Sequence, residues 1–367
     1  MAHRRAVEML VSATQWQGRR VMVTGHTGFK GGWLALWLHQ MGADVTGFSL
    51  APPSDPSLFD QVRLAELVRH VPGDIRDAVA FEHALHAARP EIVFHLAAQP
   101  LVRLSYATPV ETYATNVMGT VHLLDSARRL DGLVGVVCVT SDKCYDNREW
   151  DRPYRESDPM GGHDPYSSSK GAAELAIDSF RRSYFTDGPL AASVRAGNVI
   201  GGGDWADDRL VPDIIRAMLA GKQPHIRAPQ SIRPWQHVLD ALSGYLAVGE
   251  RLLAGDRTAA TAWNFGPSDD DTRPVAWIVA EMLRAWGASG WVTPDGAHPH
   301  EAVTLKLDSA KARDQLGWAP RLGLGSALDK VVEWHKAVAG GADPRAVSLD
   351  QLRAYQSLDT VNQKACA

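Results

Sequence analysis

Arg20-Val-Met-Val-Thr-Gly25-His-Thr-Gly28-Phe-Lys-Gly31-Gly-Trp-Leu-Ala-Leu-Trp-Leu-His39 decides the fold. A short β-branched run enters a turn with glycines at every third residue, and a longer apolar run leaves it. Strand, glycine turn and helix in this order are the unit that holds a dinucleotide pyrophosphate. Glycine lets the backbone approach the phosphates, and the helix N-terminus offers free N–H groups and the positive end of its dipole. Thr27, Phe29 and Lys30 complete the turn. Incidental glycines in a tight strand-to-helix connection give the same pattern, so the reading needs a second motif.

Outward from this unit the alternation continues. Ala43 to Leu50 reads as a second strand, followed by Leu67–Val71, Glu91–His95, Leu133–Thr140, Leu190–Arg195 and Thr261–Phe265, with amphipathic stretches between them. Strands alternating with helices predict an α/β fold of the Rossmann type, a doubly wound parallel sheet. The run Gly201-Gly-Gly-Asp-Trp205 changes the texture and predicts a smaller, interleaved C-terminal lobe that binds substrate. The expected division is residues 1–200 plus a return segment at about 232–266 for the dinucleotide domain, 201–231 and 267–340 for the lobe, and a peripheral tail at 341–367.

The chain of 367 residues with 45% hydrophobic content can bury a full core. Its 38 basic and 42 acidic side chains leave a formal charge of −4, which argues against a nucleic-acid partner. Cys138, Cys144 and Cys366 have neither metal-type nor disulfide-framework spacing and predict a reducing, cytoplasmic setting. The early apolar stretch from Ala6 to Ala13 is broken by Glu8 and is too short for a signal core or a membrane span.

The second motif is Tyr166-Ser-Ser-Ser-Lys170, preceded by Asp164-Pro165. Residues four apart share a helix face, so an ammonium stands beside a phenol, and it and a positive nicotinamide both favour phenolate. The expected tyrosine pKa is therefore lowered, toward that of a general base. Ser141 follows the Val136–Thr140 run and so reaches the carboxyl edge of the sheet, where ligands of open α/β sheets bind. Gly73-Asp74-Ile-Arg-Asp77 offers a carboxylate to an adenine amino group, with a helix cap as the plainer reading of Asp77. His95-Leu-Ala-Ala-Gln99 ends the fourth strand in small residues suited to lie under a cofactor, and His95 itself reads as core. The second strand ends Gly47-Phe-Ser-Leu50 without the acidic residue that marks the ribose hydroxyl, which leaves NAD against NADP open from these residues.

Together these motifs resemble the extended short-chain dehydrogenase/reductase superfamily, from Trp16 to about Trp334. The resemblance implies Ser141, Tyr166 and Lys170 as catalytic residues, with NAD as cofactor, held by Gly25, Thr27, Gly28, Phe29, Lys30, Gly31, Asp74, Ile75, Ala97, Ala98, Asn116, Tyr166 and Lys170. It implies a nucleotide-sugar substrate held by Arg103, Asn198 and Arg233, places His300-Glu301 near the nucleotide, and implies a homodimer. Thr140-Ser-Asp-Lys-Cys-Tyr145 resembles the 4,6-dehydratases, and its Asp-Lys pair resembles the branch that acts on CDP-glucose, where dTDP-glucose relatives carry Asp-Glu. Asp142 and Lys143 are then the acid that protonates the leaving C6 hydroxyl and the base that takes the C5 proton, the lysine needing burial and neighbouring positive charge to act as one. A 4-epimerase on the same fold would need no such pair. A non-catalytic dinucleotide-binding regulator would have no reason to keep Ser141, Tyr166 and Lys170 together.

Overall fold

A computed structural model describes residues 11–294 and 305–365; Cys366 and His300-Glu301 lie outside the described residues. Seven strands form one sheet in the order β3-β2-β1-β4-β5-β6-β9: β1 (Arg20–Thr24), β2 (Asp44–Ser49), β3 (Arg69–Pro72), β4 (Ile92–His95), β5 (Gly135–Val139), β6 (Leu190–Ala196) and β9 (Ala262–Phe265). Every neighbouring pair is parallel. β7 (Asn198–Ile200), β8 (Ile232–His237) and β10 (Thr272–Pro274) make a separate small sheet, with β8 parallel to β7 and antiparallel to β10.

The parallel sheet is buried on both faces, and the period of two along each strand sorts its side chains. Val21, Val23, Ile92, Phe94, Val137, Val139, Ala192 and Val194 join one core; Met22, Val93, Val136, Cys138 and Ala191 join the other. α1 (Phe29–Gln40) is apolar nearly all round, with Trp33 and Trp37 buried, because the sheet covers one side of it and the C-terminal helices the other. The first core also takes in α2 (Val238–Leu253) and α3 (Leu324–Ala339), so the small lobe and the large sheet share one apolar interior.

Three expectations are corrected. The third strand begins at Arg69 rather than Leu67, because Leu64–Glu66 forms one turn of 3-10 helix and Leu67 closes it. Ile232–His237 pairs within the small sheet, so the chain rejoins the large sheet only from α2 onward. The tail is not peripheral: α4 (Pro344–Ala365) buries Leu352 and Tyr355, and the Tyr355 hydroxyl donates to Asp240 Oδ1 at 2.8 Å.

Candidate active site

At the carboxyl edge, β1 lies between β2 and β4, and the chain direction of travel reverses there, opening the crevice that such sheets offer to ligands. Gly25 has φ +77°, and a Cβ on it would lie 2.7 Å from the Ala97 amide nitrogen. On Gly31 a Cβ would lie 2.1 Å from the Gly25 carbonyl oxygen, so the turn closes only with glycine at both places. Gly28 caps α1 and, being glycine, brings no side chain to the first amides of the helix. This uncapped N-terminus beside a glycine turn fits a dinucleotide pyrophosphate. At the end of β2, where an acidic residue would meet a ribose, the Ser49 hydroxyl pairs with Thr27 Oγ1 at 2.7 Å. Asp74 is bound through both oxygens by Arg76, which holds its carboxyl below the usual range and keeps it an acceptor. Asp77 is a helix cap, accepting from the amides of Val79 and Ala80. His95 is core: it bonds Thr24 Oγ1 at 2.7 Å and Thr120 Oγ1 at 3.2 Å, and burial pushes its pKa down to about 3.

The chemistry-bearing residues converge between β5, β6 and α5 (Pro165–Ser183). Pro165 at the first helical position and Asp164 as cap, accepting from the Ser167 amide at 2.9 Å, start α5 and thereby place Tyr166 and Lys170 one turn apart. Gly171 lets the helix abut the Cys144 carbonyl, which a Cβ would meet at 3.0 Å. Ser141 leaves β5 extended and caps a single 3-10 turn, Asp142–Cys144; its Oγ accepts from the Lys143 amide at 3.2 Å and donates to Asp142 Oδ1 at 2.9 Å. Asp142 is 7% exposed and sits over Gly197, where a Cβ would meet Oδ2 at 3.0 Å. Burial raises its carboxyl, against the pull of Lys143, of Ser141 and of Lys30. Lys143 is half-buried.

The lysine alone does not lower the tyrosine pKa. Burial pushes the Tyr166 phenol up to about 12, and the hydrogen bond with Ser141 and the charge of Arg209 only partly offset it. Lys170 is itself buried and brought down to about 8. Lys30 is also brought down to about 8, by burial and by the charges of Arg209 and Lys170, and its ammonium lies 5.8 Å from the Tyr245 ring centre.

Asn116 lies in a one-turn π-helix, Ala114–Met118, a form frequent at functional sites. It donates to Ser169 Oγ at 2.9 Å and to the Gln99 carbonyl at 3.1 Å, latching the β4 exit to the residue before Lys170. Ile75 is buried and Ala97 packs against the glycine turn, while Ala98 continues the same strand exit. Asn198 lies on β7 and donates to the Pro234 carbonyl at 3.3 Å; Arg233 lies on β8 opposite Arg273 of β10. Arg103 stands apart on a short helix, paired with Asp208 at 3.3 Å and exposed.

Sequence reasoning missed Arg209, whose charge acts on both Tyr166 and Lys30 and which stands 3.6 Å from buried Asp204. Its run of charged residues reads as a solvated loop until the fold turns it inward. It also missed Glu174, although the spacing of four from Lys170 signals a shared helix face. Among the described residues no cluster of three His, Cys, Asp or Glu could hold a metal, and no helix is long and apolar enough to cross a membrane.

Comparison with known proteins places the chain among nucleotide-sugar enzymes. The chain is 53% identical to the CDP-glucose 4,6-dehydratase of Salmonella typhimurium over 96% of its own length and 100% of the relative's. It is 28% identical to the UDP-glucose 4-epimerase of Mycolicibacterium smegmatis, over 86% of this chain and 98% of that one. The crystal structure of a dTDP-glucose 4,6-dehydratase from Streptomyces venezuelae, solved with NAD bound, superposes with a TM-score of 0.74 at 25% identity, covering 89% of this chain and 99% of the other. With residues 22–331 matching the family model described as GDP-mannose 4,6 dehydratase, the chain belongs to that family of nucleotide-sugar-modifying enzymes.

Proposed function

We propose that this protein is an NAD-dependent CDP-glucose 4,6-dehydratase, converting CDP-D-glucose to CDP-4-keto-6-deoxy-D-glucose and water. The observation that carries the reading is the buried Asp142 carboxyl, raised by burial and held by Ser141 within one turn of Lys143, beside Tyr166 and Lys170. The 53% identity to a CDP-glucose 4,6-dehydratase supports the nucleotide.

NAD supplies the acceptor for the C4 hydride and its return to C6. The glycine turn and first amides of α1 (Gly25, Thr27, Gly28, Phe29, Lys30, Gly31) would hold its pyrophosphate, and Asp74, Ile75, Ala97, Ala98 and Asn116 would line the rest of its site. Tyr166 takes the C4 hydroxyl proton, with Ser141 bonded to the phenol and Lys170 below it. Oxidation at C4 acidifies C5. Lys143 takes the C5 proton, and Asp142, whose carboxyl burial raises, gives its proton to the C6 oxygen as the C6–O bond breaks. Water leaves, and the protonated Lys143 returns its proton to C5 of the 4-keto-5,6-ene as C6 is reduced, so the base ends as it began; the proton held by Tyr166 replaces, by way of solvent, the one that Asp142 gave up. Asn198 and Arg233 would hold the diphosphate, a planar fork of donors suiting phosphate, and Arg103 would have to leave Asp208 to join them.

The protein is proposed to work in the cytoplasm, in keeping with Cys138 and Cys144 as free buried thiols. It is proposed to work as a homodimer. Leu104, Tyr106, Val110, Tyr113, Met118 and Leu175 are exposed on adjoining helices and would be covered in such a dimer. Incubation with CDP-glucose and mass spectrometry tests the activity. Loss of one water is expected; an isomer of unchanged mass would make the protein an epimerase instead.

A further inference from the structure

Below the site lies a carboxylate that the mechanism does not use. α5 carries Tyr166, Lys170 and Glu174 at successive spacings of four, one above another on the face turned to the sheet. Glu174 is 4% exposed. Its two oxygens accept from the Thr140 hydroxyl, from Ser193 Oγ at 2.8 Å, and from Arg195 Nε and a terminal guanidinium nitrogen at 2.8 and 2.7 Å. Arg195 passes the connection on, donating to the Tyr145 hydroxyl at 2.7 Å, which donates to Asn264 Oδ1 at 2.8 Å. One buried anion therefore joins the carboxyl ends of three neighbouring strands, β5, β6 and β9, to the helix that bears Tyr166.

Two aspects of this arrangement exceed what packing needs. Thr140 is the residue before Ser141, so the carboxylate grips the strand end from which Ser141, Asp142 and Lys143 project. An ion pair as buried as Glu174–Arg195 is also a weak source of stability against an apolar replacement, because both charges lose their water. A local electrical task explains it better. Lys170 has Tyr166 and Glu174 on its own helix, Cys138 on β5, Asp142 and Cys144 on the turn, His95 on β4 and Lys30 on α1. His95 is buried neutral, both thiols are pushed far up by burial, and Lys30 is cationic, so Glu174 is the settled anion that supports the ammonium.

We infer that Glu174 is a positioning residue of the reaction: it supplies the countercharge of Lys170 and, through Thr140 and Arg195, fixes the strand end that presents Ser141 and Asp142. Since burial holds the Tyr166 phenol high, near 12, Lys170 must stay charged for the phenol to act as a base near neutrality. This rests on the role given to Tyr166 in the proposed reaction.

The test uses the full chain in three forms: Glu174→Gln, Glu174→Asp, and Glu174→Gln with Arg195→Gln, which removes both charges and tolerates the loss if the single change does not fold. Lysine labelled with carbon-13 at Cε, with Lys170 assigned through Lys170→Met, reports the ammonium in the protein without cofactor. Losing a nearby opposite charge should lower the Lys170 midpoint by about one to two pH units in Glu174→Gln, and by less but in the same direction in the double variant, which also loses the like charge of Arg195, with Glu174→Asp close to wild type. The alkaline limb of kcat should move down with it while KM for the nucleotide sugar changes little. A folded double variant with a wild-type Lys170 midpoint and kcat limb would overturn the inference. So would a Glu174→Gln whose activity falls only in step with its folded fraction. Because the lysine titration needs no turnover, failure of the wild type to dehydrate CDP-glucose would count against the proposed reaction and leave this result to stand or fall separately.

Discussion

Asp142 and Lys143 are adjacent in the chain but live in different surroundings, one buried and the other half-buried, and this difference separates their tasks. Asp142→Asn keeps the shape and loses the proton, so solvent exchange at C5 should continue while water loss slows by about 10²- to 10⁴-fold. Lys143→Met should do the reverse, with C4 oxidation retained and C5 exchange lost by a similar factor; rapid-quench analysis in deuterium oxide measures both. Near-normal dehydration by Lys143→Met would remove lysine as the base. Ser141 was legible from its place after the Val136–Thr140 run, and Tyr166 and Lys170 from their spacing of one helical turn, while their grouping as catalytic residues came from the resemblance to the superfamily. Their ionisation was not legible. The Tyr166 phenol is governed by burial, Arg209 and Ser141, neighbours that come together only in the fold, and the expected lowering by Lys170 does not prevail over them.

At the level of elements, β1, β4 and β5 were readable because each is a mostly apolar run rich in β-branched residues and buried on both faces, whereas β3, Arg69-His-Val-Pro72, is an edge strand with no buried residue. The small sheet was not readable. Ile232-Arg-Pro-Trp-Gln-His237 has neither a strict alternation nor an apolar run, and it becomes a strand through pairing with Asn198–Ile200 and Thr272–Pro274. The C-terminal helix was read as a tail for a related reason: its mean hydropathy is low, and its anchoring residues, Leu352 and Tyr355, are few. Tyr355 reaches Asp240, whose carboxyl burial raises to about 6, and packs edge-on against Trp37 with ring centres 5.7 Å apart. Tyr355→Phe should keep the ring contact and lose the hydroxyl, costing about 1 kcal/mol. The expected outcome is a thermal midpoint lowered by a few degrees with kcat unchanged. An unchanged midpoint would show that the helix is held by its apolar contacts alone.

Across the whole molecule the buried titratable groups set the response to acid. His95, His237 and His335 are brought to about 3 and His26 to about 4, all by burial first. Their folded pKa values lie below the unfolded one, so below about pH 6.5 the unfolded chain binds more protons and stability falls as the pH falls. Glu250, raised by burial to about 7, and Asp240, raised to about 6, act in the opposite sense, gaining stability as they take up protons. Between pH 7 and 5.5 each of the four histidines costs roughly 1 kcal/mol, against the return from Glu250 and Asp240 and from Asp142, Glu156 and Asp204, whose carboxyls burial also raises. The histidines are expected to prevail, with a thermal midpoint lower at pH 5.5 than at pH 7; a midpoint that rises would mean the carboxyls dominate. The central claim concerns the whole catalytic cycle, in which one hydride leaves C4 and returns to C6 of the same sugar. CDP-glucose carrying deuterium at C4, turned over in ordinary water, tests it most directly. The product should have lost one water and carry the deuterium at C6, with no net reduced cofactor, whereas deuterium retained at C4 or hydrogen from solvent delivered in its place at C6 would contradict the account.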